Sequence, residues 1–253
     1  MVPASNHLSL REKQVLTGFF LSKFDTAGLA KLGMDNFTEA FNVIGFGLGG
    51  RPASIKNYRD EFDPLFPNPR MGWHKRQTRD YCLKIVAPFQ SLDLASFAEL
   101  VQAFVGYREE IGSVESVDAT ATNESAFAKR LMTGLAAEHY FEAVQSKLPE
   151  FADCELENTT QLGCGYDFRL HRLTHGSFWA IEVKGLTDKT GSVALTPKEH
   201  SAAHSLTDRF FLFVVKNFRE KPFHEVYRNP LSGPLGFVRK ERVVVQVTWQ
   251  TSV

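Results

Sequence analysis

Seven consecutive residues, Phe178-Trp179-Ala180-Ile181-Glu182-Val183-Lys184, restrict the possible folds of this chain more than any other stretch. The run is short, aromatic and apolar, and it reads as a β-strand. Side chains alternate across a strand, so Trp179, Ile181 and Val183 point one way into a core, while Ala180, Glu182 and Lys184 point the other. A carboxylate and an ammonium two residues apart on one face are unusual inside so apolar a segment.

The surrounding pattern sets the layers. Residues 125–148 form a strong helix candidate that stops before Pro149. Short β-like runs follow at 164–170, 178–184, 210–217 and 242–249, with a weaker one at 153–158. Between the second and third of the main runs lies Thr196-Pro197-Lys198-Glu199. Thr as N-cap, Pro in the first turn and Glu three residues on predict a capped helix there. The order helix, two or three antiparallel strands, helix, strand is an α/β arrangement.

An acidic, Ser- and Thr-rich stretch at 107–124 marks a natural break. Before it the chain reads mainly helical. Apolar residues recur at helical spacing over 9–23 and 93–105, each run with a Ser or Asp near its start to cap it. Glycines at 44–50 are expected to interrupt the middle, and prolines at 62–70 to prevent a regular element. A short helix with Ser54 as its cap is expected between them, over Ala53–Phe62. The expected organisation is a mainly helical domain over 1–112 and an α/β domain over 113–253.

Composition narrows the setting. Lys and Arg balance Asp and Glu at 29 each, so overall charge carries no argument for a nucleic-acid partner. No run approaches the roughly 18–20 apolar residues of a membrane span, and the first residues lack the basic-then-apolar pattern of a signal peptide. Cys82, Cys154 and Cys164 are too few and too scattered for a disulfide framework or a zinc site. A cytoplasmic protein that does not enter membranes is expected.

The chemistry gathers at the second and third strands. Asp167 lies upstream of Glu182, and His171–Ser177 is a plausible hairpin connection between them. Folding that hairpin back brings Asp167 beside Glu182, with Lys184 one pleat further along. Two carboxylates near strand carbonyls offer the hard oxygen ligands that Mg²⁺ prefers, with Mn²⁺ as a substitute. Such an ion polarises a phosphoryl oxygen and lowers the pKa of an attacking water. Lys184 would orient that water or stabilise developing negative charge.

At this point the residues resemble a known pattern. Gly165-Tyr166-Asp167, Ile181-Glu182-Val183-Lys184-Gly185, Leu195-Thr196-Pro197-Lys198-Glu199 and Phe211–Val215 together resemble the PD-(D/E)xK restriction-endonuclease-like superfamily over residues 125–217. Within it they are most similar to the uncharacterised nuclease domains found beside bacterial restriction and phage-defence genes. Tyr166 departs from the pattern, since Pro often precedes the Asp. The resemblance implies a restriction-endonuclease-like core of helix, three strands, helix and strand. It further implies a Mg²⁺-dependent DNA endonuclease of restriction or phage defence, in a bacterial or archaeal cytoplasm, with a cognate methyltransferase as a further partner. Cutting both strands of double-stranded DNA needs two active sites, so a homodimer is expected.

The superfamily often adds a Glu from its first helix to the metal ligands, and Glu138 occupies the matching place. At helical spacing it falls between Phe127 and Leu131 on an apolar face, with Glu142 on much the same face as the alternative. Glu199 reads as a capping residue, and His200 and His204 as ordinary helix-surface residues. Three alternatives stand beside the nuclease: a DNA-binding module that has lost catalysis, an RNA-cleaving effector, and a plain scaffold.

In the N-terminal half, residues 51–84 carry eight basic side chains against four acidic ones. Arg51, Lys56, Arg59, Arg70, Trp73, His74, Lys75, Arg76 and Arg79 form a basic and aromatic set suited to phosphate contact and base stacking. The expectation is a DNA-reading domain that serves the nuclease half.

Overall fold

The computed structural model describes residues 8–70, 77–106, 124–172, 176–241 and 251. The chain is α/β, with a mixed five-stranded sheet and a mainly helical N-terminal part. Helix α1 (Leu10–Lys31) opens with a capping box. The Ser9 side chain accepts from the Glu12 N–H, and the Glu12 carboxylate accepts from the Ser9 N–H. It runs beyond the predicted 9–23, through a kink at Asp25, where φ is 47°. Helices α2 (Phe37–Gly47), α3 (Pro52–Phe62), α4 (Asp80–Val86) and α5 (Leu94–Phe104) follow. The Asp93 side chain caps α5 through the Ser96 N–H at 2.8 Å, as its sequence indicates.

The glycines at 44–50 do interrupt the middle, but late in the run: α2 continues through Gly45 to Gly47, and the break before α3 falls at residues 48–51, with Gly49 at φ 67°. Close packing is the reason for one of them: a Cβ on Gly45 would sit 2.7 Å from Pro52 Cα. Ser54 is not the cap of α3. Arg51 holds the N-cap position without a side-chain bond, and Pro52 supplies the pre-set φ of the first turn.

Helix α6 (Glu124–Val144) leads into strand β1 (Cys154–Asn158), β2 (Phe168–Arg172) and β3 (Phe178–Gly185). Helix α7 (Pro197–Leu206) then crosses to β4 (Phe210–Lys216), and β5 (Phe223–Arg228) ends the sheet. The sheet order is β1-β2-β3-β4-β5. Among the described residues only β3 and β4 pair in parallel, with Glu182 beside Leu212; the other neighbours are antiparallel. A parallel pair needs a crossover connection, and α7 provides it. Strand β5 carries no strong apolar pattern in Phe223–Arg228, and reading the sequence alone missed it. The candidate strand at 242–249 and nearly all of the 107–124 break lie outside the described residues.

One face of the sheet contributes Phe168, Leu170, Ile181, Val183, Phe211, Phe213 and Val215 to a large core. The same core contains Met132, Ala136 and Phe141 of α6 and the buried residues of α1 to α5. It therefore passes continuously across the expected boundary between residues 112 and 113. Polar contacts reinforce the join: Asn42 of α2 donates to the Phe218 and Glu220 carbonyls at 2.8 and 3.0 Å. Phe46 of α2 meets both Tyr140 and Phe218 edge-on, at 5.3 and 6.4 Å between ring centres. The opposite sheet face carries a smaller cluster of Tyr166, Ala180, Ala203 and Phe210, covered by α7.

A shared core predicts shared unfolding. Phe168 is fully buried, 5.1 Å from the Phe141 ring. Phe168→Ala should cost about 3–5 kcal/mol. Phe46→Ala, on the other side of the join, should lower the same urea transition. Tryptophan fluorescence and far-ultraviolet circular dichroism should give coincident curves for both variants.

Candidate active site

The site is built where β2 begins and β3 ends. Asp167 sits one residue before β2 and already bonds as a strand residue. Its N–H donates to the Ile181 carbonyl at 3.0 Å, and its carbonyl accepts the Thr159 N–H at 2.8 Å. Phe168 pairs with Ile181, so continuing the antiparallel register sets Asp167 opposite Glu182. The Asp167 Oδ2 accepts the Val183 N–H at 2.8 Å, which fixes the carboxylate against the β3 backbone. The hairpin thus joins the two carboxylates as their spacing predicts, with residues 173–175 of the connection outside the described residues.

Alternation along β3 holds as well. Ile181 and Val183 enter the large core, and Ala180 the smaller one. Glu182 and Lys184 continue the Ala180 face. Glu182 is 2% exposed, and its Oε1 lies 2.6 Å from the Lys184 Nζ. The same ammonium donates to Glu199 Oε2 at 2.9 Å. Glu199 belongs to the first turn of α7, where the predicted capping box forms. The Thr196 N–H donates to Glu199 Oε2 at 3.0 Å, and the Glu199 N–H donates to Thr196 Oγ1 at 3.3 Å. The capping signal was legible, but it concealed that the same carboxylate reaches Lys184. Only the crossover of α7 brings residues 184 and 199 together.

Two glycines let the helices come this close. Gly165 has φ +87°, and a Cβ there would lie 2.7 Å from the Lys198 carbonyl oxygen. The first turn of α7 is therefore seated on the Gly165-Tyr166-Asp167 segment. At the other end of the motif, a Cβ on Gly185 would lie 2.6 Å from the Thr133 carbonyl oxygen of α6. Asp167 and Lys184 are each within two residues of a backbone-to-backbone contact.

Negative charge exceeds positive in this cluster. Burial, then the charges of Asp167 and Glu199, hold the Glu182 carboxyl well above the ordinary glutamate range, although Lys184 pulls the other way. Burial alone would lower the Lys184 ammonium, but Glu182 and Glu199 outweigh it and raise its pKa. Asp167 and Glu199 thus make the Glu182 proton harder to remove, and Glu182 and Glu199 do the same for the Lys184 proton.

Asp167 and Glu182 are the oxygen donors this cluster could offer a cation. Among the described residues no group of three or more His, Cys, Asp or Glu side chains is arranged to hold an ion. Mg²⁺ is commonly held by one or two carboxylates together with waters and substrate phosphates, and Asp167 with Glu182 fits that pattern. Glu138 is half-buried on α6. The neighbouring charges that shift Glu182 come from Asp167, Lys184 and Glu199.

The basic set of the N-terminal half divides into three groups. Arg59, Arg70 and Arg79 turn toward buried acids. Arg59 bonds Asp60 at 2.6 Å, Arg70 bridges Asp63 and Asp25 at 2.8 and 2.9 Å, and Arg79 meets Glu61 at 2.9 Å. Lys56 pairs with Asp60 at 2.6 Å while staying largely in solvent, and Arg51 is exposed. Trp73, His74, Lys75 and Arg76 lie outside the described residues. No described helix is long and apolar enough to cross a membrane.

Glu182 gives a test of the electrostatics. A carboxyl that holds its proton more tightly when folded adds stability below its unfolded value, near 4.5, and loses that contribution as pH rises through the folded value. Glu182→Gln removes this dependence. In chelator-containing buffer, the stability of the variant relative to the native chain should shift in its favour from about pH 4.5 toward neutrality. Urea unfolding across that range measures the difference, and a flat difference would contradict the assignment.

Over residues 135–228 the chain matches the family described as Protein NO VEIN, C-terminal. Comparison with curated proteins and with solved structures finds no match. The family match opens inside α6 and closes with the last residue of β5. The chain is therefore similar to that family over the sheet, its crossover helix and all four of Asp167, Glu182, Lys184 and Glu199, and not over the N-terminal helices.

Proposed function

We propose that this chain is a Mg²⁺-dependent endonuclease of the PD-(D/E)xK type that hydrolyses phosphodiester bonds in double-stranded DNA. One observation carries the reading. A buried glutamate and a lysine two residues on share a strand face, and an aspartate on the neighbouring strand lies opposite the glutamate. A structural salt bridge needs one carboxylate for one ammonium. This cluster collects an excess of carboxylates in a place largely shielded from water, which is costly unless a cation or a polar ligand completes it.

In this reading Asp167 and Glu182 hold the ion; Glu138 of α6, the further ligand that the superfamily pattern suggests, does not form a three-residue group with them among the described residues. When bound, Mg²⁺ would polarise the phosphoryl oxygen and lower the pKa of a water. The Asp167 carboxylate is oriented for its part by the Val183 N–H. Lys184 keeps its proton through the neighbouring carboxylates, so it acts as a fixed positive charge near the developing negative charge of the transition state. Arg51 and Lys56 are the exposed members of the basic set among the described residues, and in this reading they meet the phosphate backbone. A homodimer would supply the second active site for the second strand. Restriction or phage defence in a microbial cytoplasm, alongside a methyltransferase, is the biological setting this chemistry suits.

Plasmid and phage DNAs, modified and unmodified, should be cut in Mg²⁺ and left intact in EDTA. Asp167→Asn keeps the size of a half-exposed side chain and should lower the cleavage rate by about 10²–10³ or more. Lys184→Met should do the same. It also leaves buried carboxylates without their cation, so its folding must be checked by circular dichroism. Retained DNA binding without cleavage in Mg²⁺ or Mn²⁺ would point to the binding module, and cleavage confined to RNA to the effector nuclease.

A further inference from the structure

Lys184 has two carboxylate partners, and they differ in kind. Glu182, at 2.6 Å, belongs to the pair that the nuclease reading assigns to the cation. Glu199, at 2.9 Å, comes from a different element and lies outside that pair. An ion that takes up the Glu182 carboxylate weakens its hold on the ammonium and also repels the ammonium directly, as like charges do at short range. With Glu182 as its only partner, Lys184 would swing away just when the site is loaded.

We propose that Glu199 is a positioning residue that keeps the Lys184 ammonium over the site while Asp167 and Glu182 are engaged with a divalent cation. Three observations support the role. The Glu199 oxygen that accepts from Lys184 is the same Oε2 that accepts the Thr196 N–H, so the capping box fixes its position. Its side chain is 15% exposed, which limits competition from water. The turn that carries it is seated on Gly165, two residues from Asp167, so the anchor and the first carboxylate are held in one frame. A glutamate acting only as a cap would not need to reach a strand lysine.

The inference rests on the nuclease reading for the identity of the cation pair, and its test does not require cleavage. Glu199→Gln is the informative variant, because Gln also serves in a capping box and α7 keeps its start while the charge is lost. Thr196→Ala is the converse: it removes the hydroxyl of the cap and leaves Glu199 and the residue 196 N–H in place. Each protein would be treated with formaldehyde and a mild borohydride, and the rate of Lys184 methylation followed by peptide mass spectrometry, with and without Mg²⁺. In the native chain and in Thr196→Ala, Lys184 should stay protected in both conditions. In Glu199→Gln it should stay largely protected without Mg²⁺ and become about tenfold more reactive with it, the scale of one lost charged hydrogen bond. Equal protection of Lys184 in Glu199→Gln and the native chain under Mg²⁺ would overturn the role. Exposure of Lys184 in Thr196→Ala to the same extent would also overturn it, by making the effect one of helix start. Mg²⁺-dependent exposure in a chain that cuts no nucleic acid would uphold the anchor and remove the nuclease reading. Cleavage with unchanged protection would do the reverse.

Discussion

Glu182 is almost wholly removed from water in the middle of the sheet, and the C-terminal part of the structure is arranged around that burial. An ionised carboxylate in such surroundings needs a charged or hydrogen-bonding partner, or it takes up a proton. Lys184 can serve only because β3 is straight enough to keep the two on one face. Asp167 reaches the pair only because β2 returns antiparallel in the observed register. A slip of one residue between β2 and β3 would send the carboxylates to opposite faces. The large apolar core under Phe168, Ile181 and Val183 resists such a slip, so packing on one face of the sheet enforces the charge cluster on the other.

Helices close the cluster from both ends. The crossover to β4 sets α7 across one sheet face, and its first turn meets Gly165 and Lys184 together. Helix α6 presses its backbone onto Gly185 from the other side. Either glycine, given a side chain, would force the helix backbone packed on it to shift and loosen the groups beside it. The N-terminal helices reach the same assembly through α2, whose Asn42 and Phe46 touch the turn after β4. Their buried side chains belong to the same core as the inner face of the sheet.

The charges of the N-terminal half show how a count along the sequence differs from a surface. Residues 51–84 have twice as many cations as acids. Folding buries Asp60, Glu61 and Asp63, and the cost of three buried carboxylates is offset by Arg59, Arg70 and Arg79. Arg59 and Arg70 also lie over the Phe37 ring, at 4.8 Å each, so their stems and planes serve as packing. A cation that neutralises a buried acid is held in place and has little left to offer a phosphate. Arg51 and Lys56 remain oriented toward solvent.

Local chemistry alone determined much of this protein. The order of helix and strands in the second half, the Ser9 and Asp93 caps, the Thr196 capping box and the shared face of Glu182 and Lys184 all depend on residues a few positions apart. So did the pairing of Asp167 with Glu182, because a hairpin is the shortest way to connect two adjacent strands. Strand β5 was not legible, since its pattern is weak and its place comes from pairing with the buried β4. Neither was the need for glycine at 45, which follows from the close approach of Pro52. The link from Lys184 to Glu199 and the inward turn of the three arginines were likewise decided in three dimensions. Each depends on which distant element arrives beside a charge, and a buried charge takes whatever partner the packing of the apolar core brings within reach.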